Sequence, residues 1–205
     1  MGRSKKWLSM SQFRSRQPKV FSFSLIYEIG TELGSSEREL AGAQNRSGTG
    51  EAKITKIVIL DKNGMKNNII GIGNPFQIMV EISFNQDTPK SVLGIQLRNQ
   101  DKVRILDLRS DSQNRIFGPF QGGSKALFIV KVPGLPIYPG NYFIEPWVGE
   151  YKVNKGKRVY DHVQDAIQII MESVGFYESE SIIKKGKALI FVDCLWNEGS
   201  QPYAN

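Results

Sequence analysis

Cysteine and histidine each occur once in these 205 residues. The single cysteine, Cys194, leaves no internal disulfide and no multi-cysteine zinc site. It lies in the apolar run ALIFVDCLW, where a buried packing role is expected. The single histidine, His162, removes most histidine-based metal and triad arrangements. It adjoins Asp161, with Asp165 nearby, and no partner nucleophile accompanies it. It therefore reads as a loop or strand-edge side chain near carboxylates and not as a general base. No apolar run approaches the roughly 20 residues that a membrane-spanning helix needs. The greasiest stretches, ALFIVKV and AIQIIM, are strand-sized. The phosphate loop Gly-x-x-x-x-Gly-Lys-Ser/Thr is missing, so nothing points to an ATP site. The run GIGNPF holds Gly71 and Gly73 but no third glycine, and it opens a strand where a dinucleotide site needs a helix. GSSERE lacks the strand-turn-helix setting of a nucleophile elbow. Carboxylates such as Glu145 and Asp161 could in principle flank a glycosidic bond. Sandwiches of this size more often bind sugars than cut them, so a non-catalytic protein without cofactor or metal is expected.

Charge is unevenly spread. The net +7 divides into eight Lys/Arg against four Asp/Glu in residues 1–50, and nineteen against sixteen in residues 51–205. More than half of the excess sits in the first quarter. The rest is too mildly basic to suggest nucleic acid. The basic loop Lys152, Lys155, Lys157 and Arg158 reads as solvated. Arg3, Lys5 and Lys6 precede WLSMSQFRSRQ, which is too polar for the apolar region of a secretory signal, so a cytoplasmic location is expected.

The first 50 residues are rich in Ser, Gly and charge, apart from the apolar patch Val20 to Ile29. Such composition buries little, and a flexible N-terminal segment is expected. From Glu51 the pattern is all-β. AKITKIVILD alternates and runs into Asn63-Gly64, a hairpin signal. In NPFQIMVEISF, Phe76, Ile78, Val80, Ile82 and Phe84 alternate with polar or flexible positions, as in a half-buried strand. VLGIQLRN, VRILDL and KALFIVKVP follow, with a long polar loop from Arg109 to Ser124. HVQDAIQIIMES reads as a strand covered on both faces, because its β-branched content outweighs a helical reading. KALIFVDCLW closes the ordered part, and residues 198–205 form a polar tail. Eight or nine strands at turn spacings of about ten residues predict an antiparallel β-sandwich over residues 51–197.

The segment VPGLPIYPGNYFIEPWVGEY carries the functional signal. Pro139-Gly140 makes a turn. The strand that follows places Phe143, Glu145 and Trp147 on one side. Rings beside carboxylates suit sugar binding, because an apolar ring face stacks on a pyranose and a carboxylate accepts from hydroxyls. Packing of both faces is the competing reading. Gln96 and Arg98 share one side of their own strand. The candidate carbohydrate-binding set is thus Trp147, Glu145, Phe143, Gln96 and Arg98, with Trp196 reserved for a core or dimer role.

The order of these segments resembles a known family. ITKIVILDKNG is similar to its opening strand and turn, NPFQIMVEISF to its second strand, and VLGIQLRNQDKVRI to its Gly-centred hairpin. KALFIVKVPGLPIYPGNYFIEPWVGE resembles its leucine-proline-glycine turn and aromatic strand. YDHVQDAIQIIMESVGFY and GKALIFVDCLW resemble its closing region. The family is the C-terminal carbohydrate-binding domain of the ATP-binding subunit in O-antigen polysaccharide ABC transporters, the Wzt type. The resemblance implies an immunoglobulin-like sandwich, recognition of an exported bacterial polysaccharide and a homodimer with exchanged terminal strands. It also implies partnership with the transporter's nucleotide-binding domain or membrane subunit. Residues 1–50 carry none of the motifs of a nucleotide-binding domain, so ATP hydrolysis is not expected of this polypeptide. A structural or protein-interaction sandwich that dimerises without binding glycan is the alternative.

Overall fold

The computed structural model describes residues 34–151 and 158–173, together with Ile190. Among them the strands are β1 (Glu37–Glu39), β2 (Arg46–Ser47), β3 (Ala52–Leu60), β4 (Ile69–Gly71), β5 (Phe76–Phe84), β6 (Ser91–Asn99), β7 (Arg104–Arg109), β8 (Lys125–Val132), β9 (Gly140–Glu150), β10 (Val159–Val163) and β11 (Ile167–Glu172). The smaller sheet has the order β1-β3-β5-β8. The larger has seven strands: β2-β10-β9-β11-β4 along one path, with β6 on β9 and β7 on β6. The Val20–Ile29 patch, Lys152 to Lys157, Cys194, Trp196 and the tail 198–205 lie outside the described residues.

The core follows from alternation. Along β5, Phe76, Ile78, Val80, Ile82 and Phe84 are buried, while Gln77, Met79, Glu81 and Ser83 are half-buried on the opposite face. These side chains form one cluster with Leu93, Ile95 and Leu97 of β6 and with Tyr142, Ile144 and Val148 of β9. Each such aliphatic side chain contributes about 1.5–3 kcal/mol by leaving water. The polar loop before β8 adds two rings to the core. Phe120 stacks on Phe84 with centroids 4.1 Å apart, and Phe117 meets Phe128 edge-on at 4.8 Å.

β9 carries the larger sheet. One of its edges pairs with β6 from Tyr142 to Glu150. The other pairs first with β11, up to Ile144↔Ile167, and then with β10, from Trp147↔His162. Ile144 O accepts from Ala166 N–H, and Glu150 N–H donates to Arg158 O, so the even-numbered positions of β9 face this second edge. Pro146 falls between the two partners. It has no N–H to offer, which would disqualify it from a continuous central ladder, and here the ladder is interrupted. The same interruption divides HVQDAIQIIMES. The segment is a strand, turn and strand, with Asp165 at φ 45° in the turn.

Three further features differ from the simplest reading of the sequence. The Asn63-Gly64 turn forms, but only the bridge Leu60↔Lys66 closes it, and the chain then crosses to the larger sheet as β4. β4 pairs with β11 in parallel, an exception in an otherwise antiparallel fold. Strand pairing also begins upstream of Glu51: β1 lies along β3, β2 along β10, and Leu40 is fully buried in the core.

Arg46 and Asp161 tie these parts together. The buried Asp161 carboxylate accepts from Ile54 N–H of β3 at 2.7 Å and lies 3.6 Å from Arg46 Nη1. Arg46 Nη2 donates to Leu40 O and Ile54 O. Burial pushes the Asp161 carboxyl up, while the Ile54 N–H and Arg46 pull it down.

β1 is held to β3 electrostatically as well. Lys56 and Lys66 both pair with Glu37, and their hydrogen bonds lower its carboxyl to about 2. A depressed carboxylate adds stability above its unfolded value, here 4.5, and loses it as pH falls towards 2. Glu37→Gln is therefore expected to melt below the wild type at pH 7, with the gap closing between about pH 4.5 and 2 and shrinking in high salt. A gap that persists at pH 2 in thermal unfolding would show that the ion pairs are not what anchors β1.

Candidate functional site

The register of β6 on β9 sets Gly94 opposite Trp147, Gln96 opposite Glu145 and Arg98 opposite Phe143. The two sets of residues selected from their own strands therefore share one face of the larger sheet, the face turned away from the core. His162 of β10 is opposite Trp147, Ser47 of β2 is opposite His162, and Asp107 of β7 is opposite Gln96. A register shift between Leu97 and Arg98 places Arg104 opposite Arg98, on the same face as Asp107. Simple alternation would separate residues 104 and 107.

An open cavity of about 250 Å³ lies on this face, lined by Ser47, Gln96, Arg104, Asp107, Trp147, Val159 and His162. Of the five residues selected from sequence, Trp147 and Gln96 line it. Glu145 and Arg98 form a buried charged layer beside it. Arg98 Nε is 2.9 Å from Glu145 Oε2, and His162 Nε2 is 3.7 Å from the same oxygen. The Glu145 side chain is 1% exposed. Its position suits orienting Arg98 and His162 better than meeting a ligand directly. Phe143 is half-buried to one side, with Lys102 Nζ 5.4 Å from its ring centroid.

Trp147 is only 6% exposed, so it is a wall of the cavity and not an open stacking platform. Gly94 explains why. A Cβ at that position would come within 2.1 Å of the indole, so the ring lies directly against the strand backbone. The Arg109 guanidinium covers it from the other side, 5.7 Å from the ring centroid. Arg109 is itself held by Asp111.

Arg104, Asp107 and Ser47 were missed by sequence reasoning, and His162 was set aside. Ser47 comes in by pairing with β10, a strand distant in sequence, His162 through the pairing of β10 with β9, and Arg104 and Asp107 through the irregular hairpin that β7 forms with β6. Only His162 carried a local signal, its place beside an acidic strand in an otherwise histidine-free chain. Within the face, Gln96 Oε1 is buried without a hydrogen-bond partner. The terminal torsion of Gln is soft, so a modest rotation can offer either amide atom to a ligand. The mixture of cation, carboxylate, amide, hydroxyl and ring is suited to a neutral or weakly charged polyhydroxyl compound. Among the described residues no group of three or more His, Cys, Asp or Glu could hold a metal ion. No helix among them is long and apolar enough to cross a membrane.

These features define a class first: an immunoglobulin-like β-sandwich with a polar cavity on the outer face of its larger sheet. A profile of the Wzt C-terminal domain matches residues 43–182, and the chain belongs to that family of ABC transporter-associated domains. The crystal structure of the C-terminal domain of Wzt superposes with a TM-score of 0.62 at 17% identity, covering 75% of this chain and 87% of that one. That likeness is one of fold. A Niemann-Pick type C2 protein from Japanese carpenter ant superposes more loosely, with a TM-score of 0.40 at 12% identity over 61% of this chain and 96% of that one. No curated protein matches the chain.

Two measurements check this geometry. Burial lowers the imidazole of His162 below its usual 6.5, and the Glu145 carboxylate pulls it partly back up. A histidine depressed in this way favours the neutral form, so its protonation costs stability as pH falls below 6.5. As the only histidine in the chain, it gives one resolvable set of ring-proton NMR signals. Its titration midpoint is expected below 6.5, and lower again in Glu145→Gln; a midpoint at or above 6.5 would contradict its burial. Gly94→Ala forces the indole off the backbone and is expected to cost about 1–3 kcal/mol of stability in denaturant unfolding, as overpacking does. An unchanged midpoint would mean that the ring does not rest on Gly94.

Proposed function

We propose that the domain is a non-catalytic carbohydrate-binding module that recognises a bacterial surface polysaccharide of the O-antigen type for export by an ABC transporter. The reading is supported above all by the convergence of Gln96, Arg104, Asp107, Trp147 and His162 on one open cavity in a Wzt-family sandwich. In this reading Arg104 and Asp107, both exposed, bond to sugar hydroxyls from the rim. Trp147 supplies an apolar wall for the C–H face of a pyranose, and Gln96 turns its amide to complete the polar contacts. Glu145 and Arg98 hold this arrangement from beneath. Phe143, beside Lys102, extends the face. The site works on the cytoplasmic side of the membrane, next to the transporter's nucleotide-binding or membrane subunits.

A second reading, a sandwich that pairs with another copy without binding glycan, draws on β8. Among the described residues this strand is an edge of the smaller sheet, and Leu127 and Ile129 on it are 56% and 53% exposed. An unpaired edge with apolar side chains is a template for another strand. Homodimerisation through such an edge is compatible with the glycan reading as well.

Calorimetric titration with the host bacterium's own purified surface polysaccharide, beside an unrelated one, separates the two. Saturable binding to the native polymer alone is expected. Arg104→Ala and Asp107→Asn, both at exposed positions, are expected to weaken it by about 10–100-fold, the loss of a hydrogen bond to a charged group. Full affinity in both folded variants would sink the site assignment. A folded dimer that binds neither polymer would leave the pairing module as the function.

A further inference from the structure

The segment from Arg46 to Gly50 runs as a strap along the free edge of β10. Ser47 pairs with His162, Thr49 N–H donates to Val159 O at 3.1 Å, and Gly50 N–H donates to Tyr160 O at 2.8 Å. Gly48 has φ 140°, and a Cβ there would lie 2.4 Å from Tyr160 O, so only glycine lets the strap sit this close. The strap is a low rim. The recognition cavity lies on one side of it. On the other side is a second open cavity, of about 300 Å³, and Ser47 lines both.

The lining of the second cavity has the same mixed character as the first. Lys53 offers an ammonium group, Asp161 a carboxylate and Asn85 an amide. The Asn85 amide is already oriented by its bond to Gly50 O at 2.9 Å. Arg46 has a buried Nε without a hydrogen-bond partner, and Tyr160 and Asp161, 2% and 3% exposed, form the floor. A cavity for a simple ion would show one sign of charge. Here the Lys53 cation, the Asn85 amide and the Arg46 guanidinium lie over a buried, already paired carboxylate, a mixed set of donors and acceptors that hydroxyl-rich compounds can use. Each cavity is near or below the lower end of the roughly 300–1,000 Å³ typical of small-molecule sites. That is the scale of one sugar ring and not of an oligosaccharide.

We propose that the cavity formed by Arg46, Lys53, Asn85, Tyr160 and Asp161 is a second saccharide subsite. A glycan held in the first cavity crosses the strap at Ser47 and places its next unit there. This inference rests on the carbohydrate reading of the first cavity. Once one unit is bound, the next is presented at high effective concentration, so even weak contacts raise the affinity of the longer ligand.

The test uses the full chain and size-fractionated oligosaccharides released from the host's surface polysaccharide. In the wild type, affinity is expected to climb by about 10-fold or more between the shortest fragment that binds and the next that can span the strap. Lys53→Ala, and independently Asn85→Ala, are expected to keep the short-fragment affinity and the melting temperature but lose that increment. Amide NMR signals of Gly48 and Gly50 are expected to move with the longer fragments only. An increment retained by both variants, with those amides unmoved, would overturn the second subsite and leave the first cavity intact. Absence of binding by every fragment would overturn the carbohydrate reading and the subsite with it.

Discussion

A carboxylate placed between two sheets is costly unless its charge is answered by hydrogen bonds and a counter-charge, and the rest of this fold is arranged around meeting that need for Asp161. Its two partners, and the groups that hold them, come from separate places in the chain. Ile54 offers a backbone N–H where the β3–β5 register shifts, Arg46 brings a guanidinium from the strap, and Leu40 O and Ile54 O fix that guanidinium in turn. The consequence is geometric. The smaller sheet, the larger sheet and the chain leading into β2 are all located relative to one carboxyl group. Ser47, the residue after Arg46, is thereby set on the rim between two cavities.

β9 performs the corresponding task within the larger sheet. It is the one strand that β6, β10 and β11 all touch, and its odd-numbered residues carry the candidate face. Glu145 occupies the centre of that face, opposite Gln96, with Arg98 and His162 drawn to it. A buried, paired carboxylate gives weak net stability but a strong preference for one arrangement of its neighbours. That is what a recognition surface requires. The interruption at Pro146 contributes too, since the β10–β11 turn lets Asp165 N–H reach Glu145 Oε1 at 3.4 Å.

How far the sequence revealed this arrangement depended on whether the information was local. The alternation of β5 and the Pro139-Gly140 turn into β9 are properties of a few consecutive residues, and they were legible. So was the grouping of Phe143, Glu145 and Trp147 on one side, and of Gln96 with Arg98 on another. That these two sides are the same face is a fact of register, which no single strand encodes. The irregularity that swings Arg104 onto the face of Asp107 is likewise invisible to alternation. The burial of Trp147 had a local clue in Gly94, but the clue matters only once the two are known to be opposite each other. The HVQDAIQIIMES segment was read as strand without its turn. Pro146, which falls opposite that turn where the β9 ladder passes from β11 to β10, lies sixteen or more positions away from the segment.

The position of β8 has a bearing on how the molecule behaves in a crowded solution. Among the described residues it pairs on one side only, and Leu127 and Ile129 project from its outer face, the combination from which open-ended strand stacking grows. Lys125 and Lys131, both exposed, bracket the pair. Like charges on stacked neighbours would sit a few ångströms apart, so each added copy would meet growing repulsion. The two lysines thus act as gatekeepers against a growing fibre.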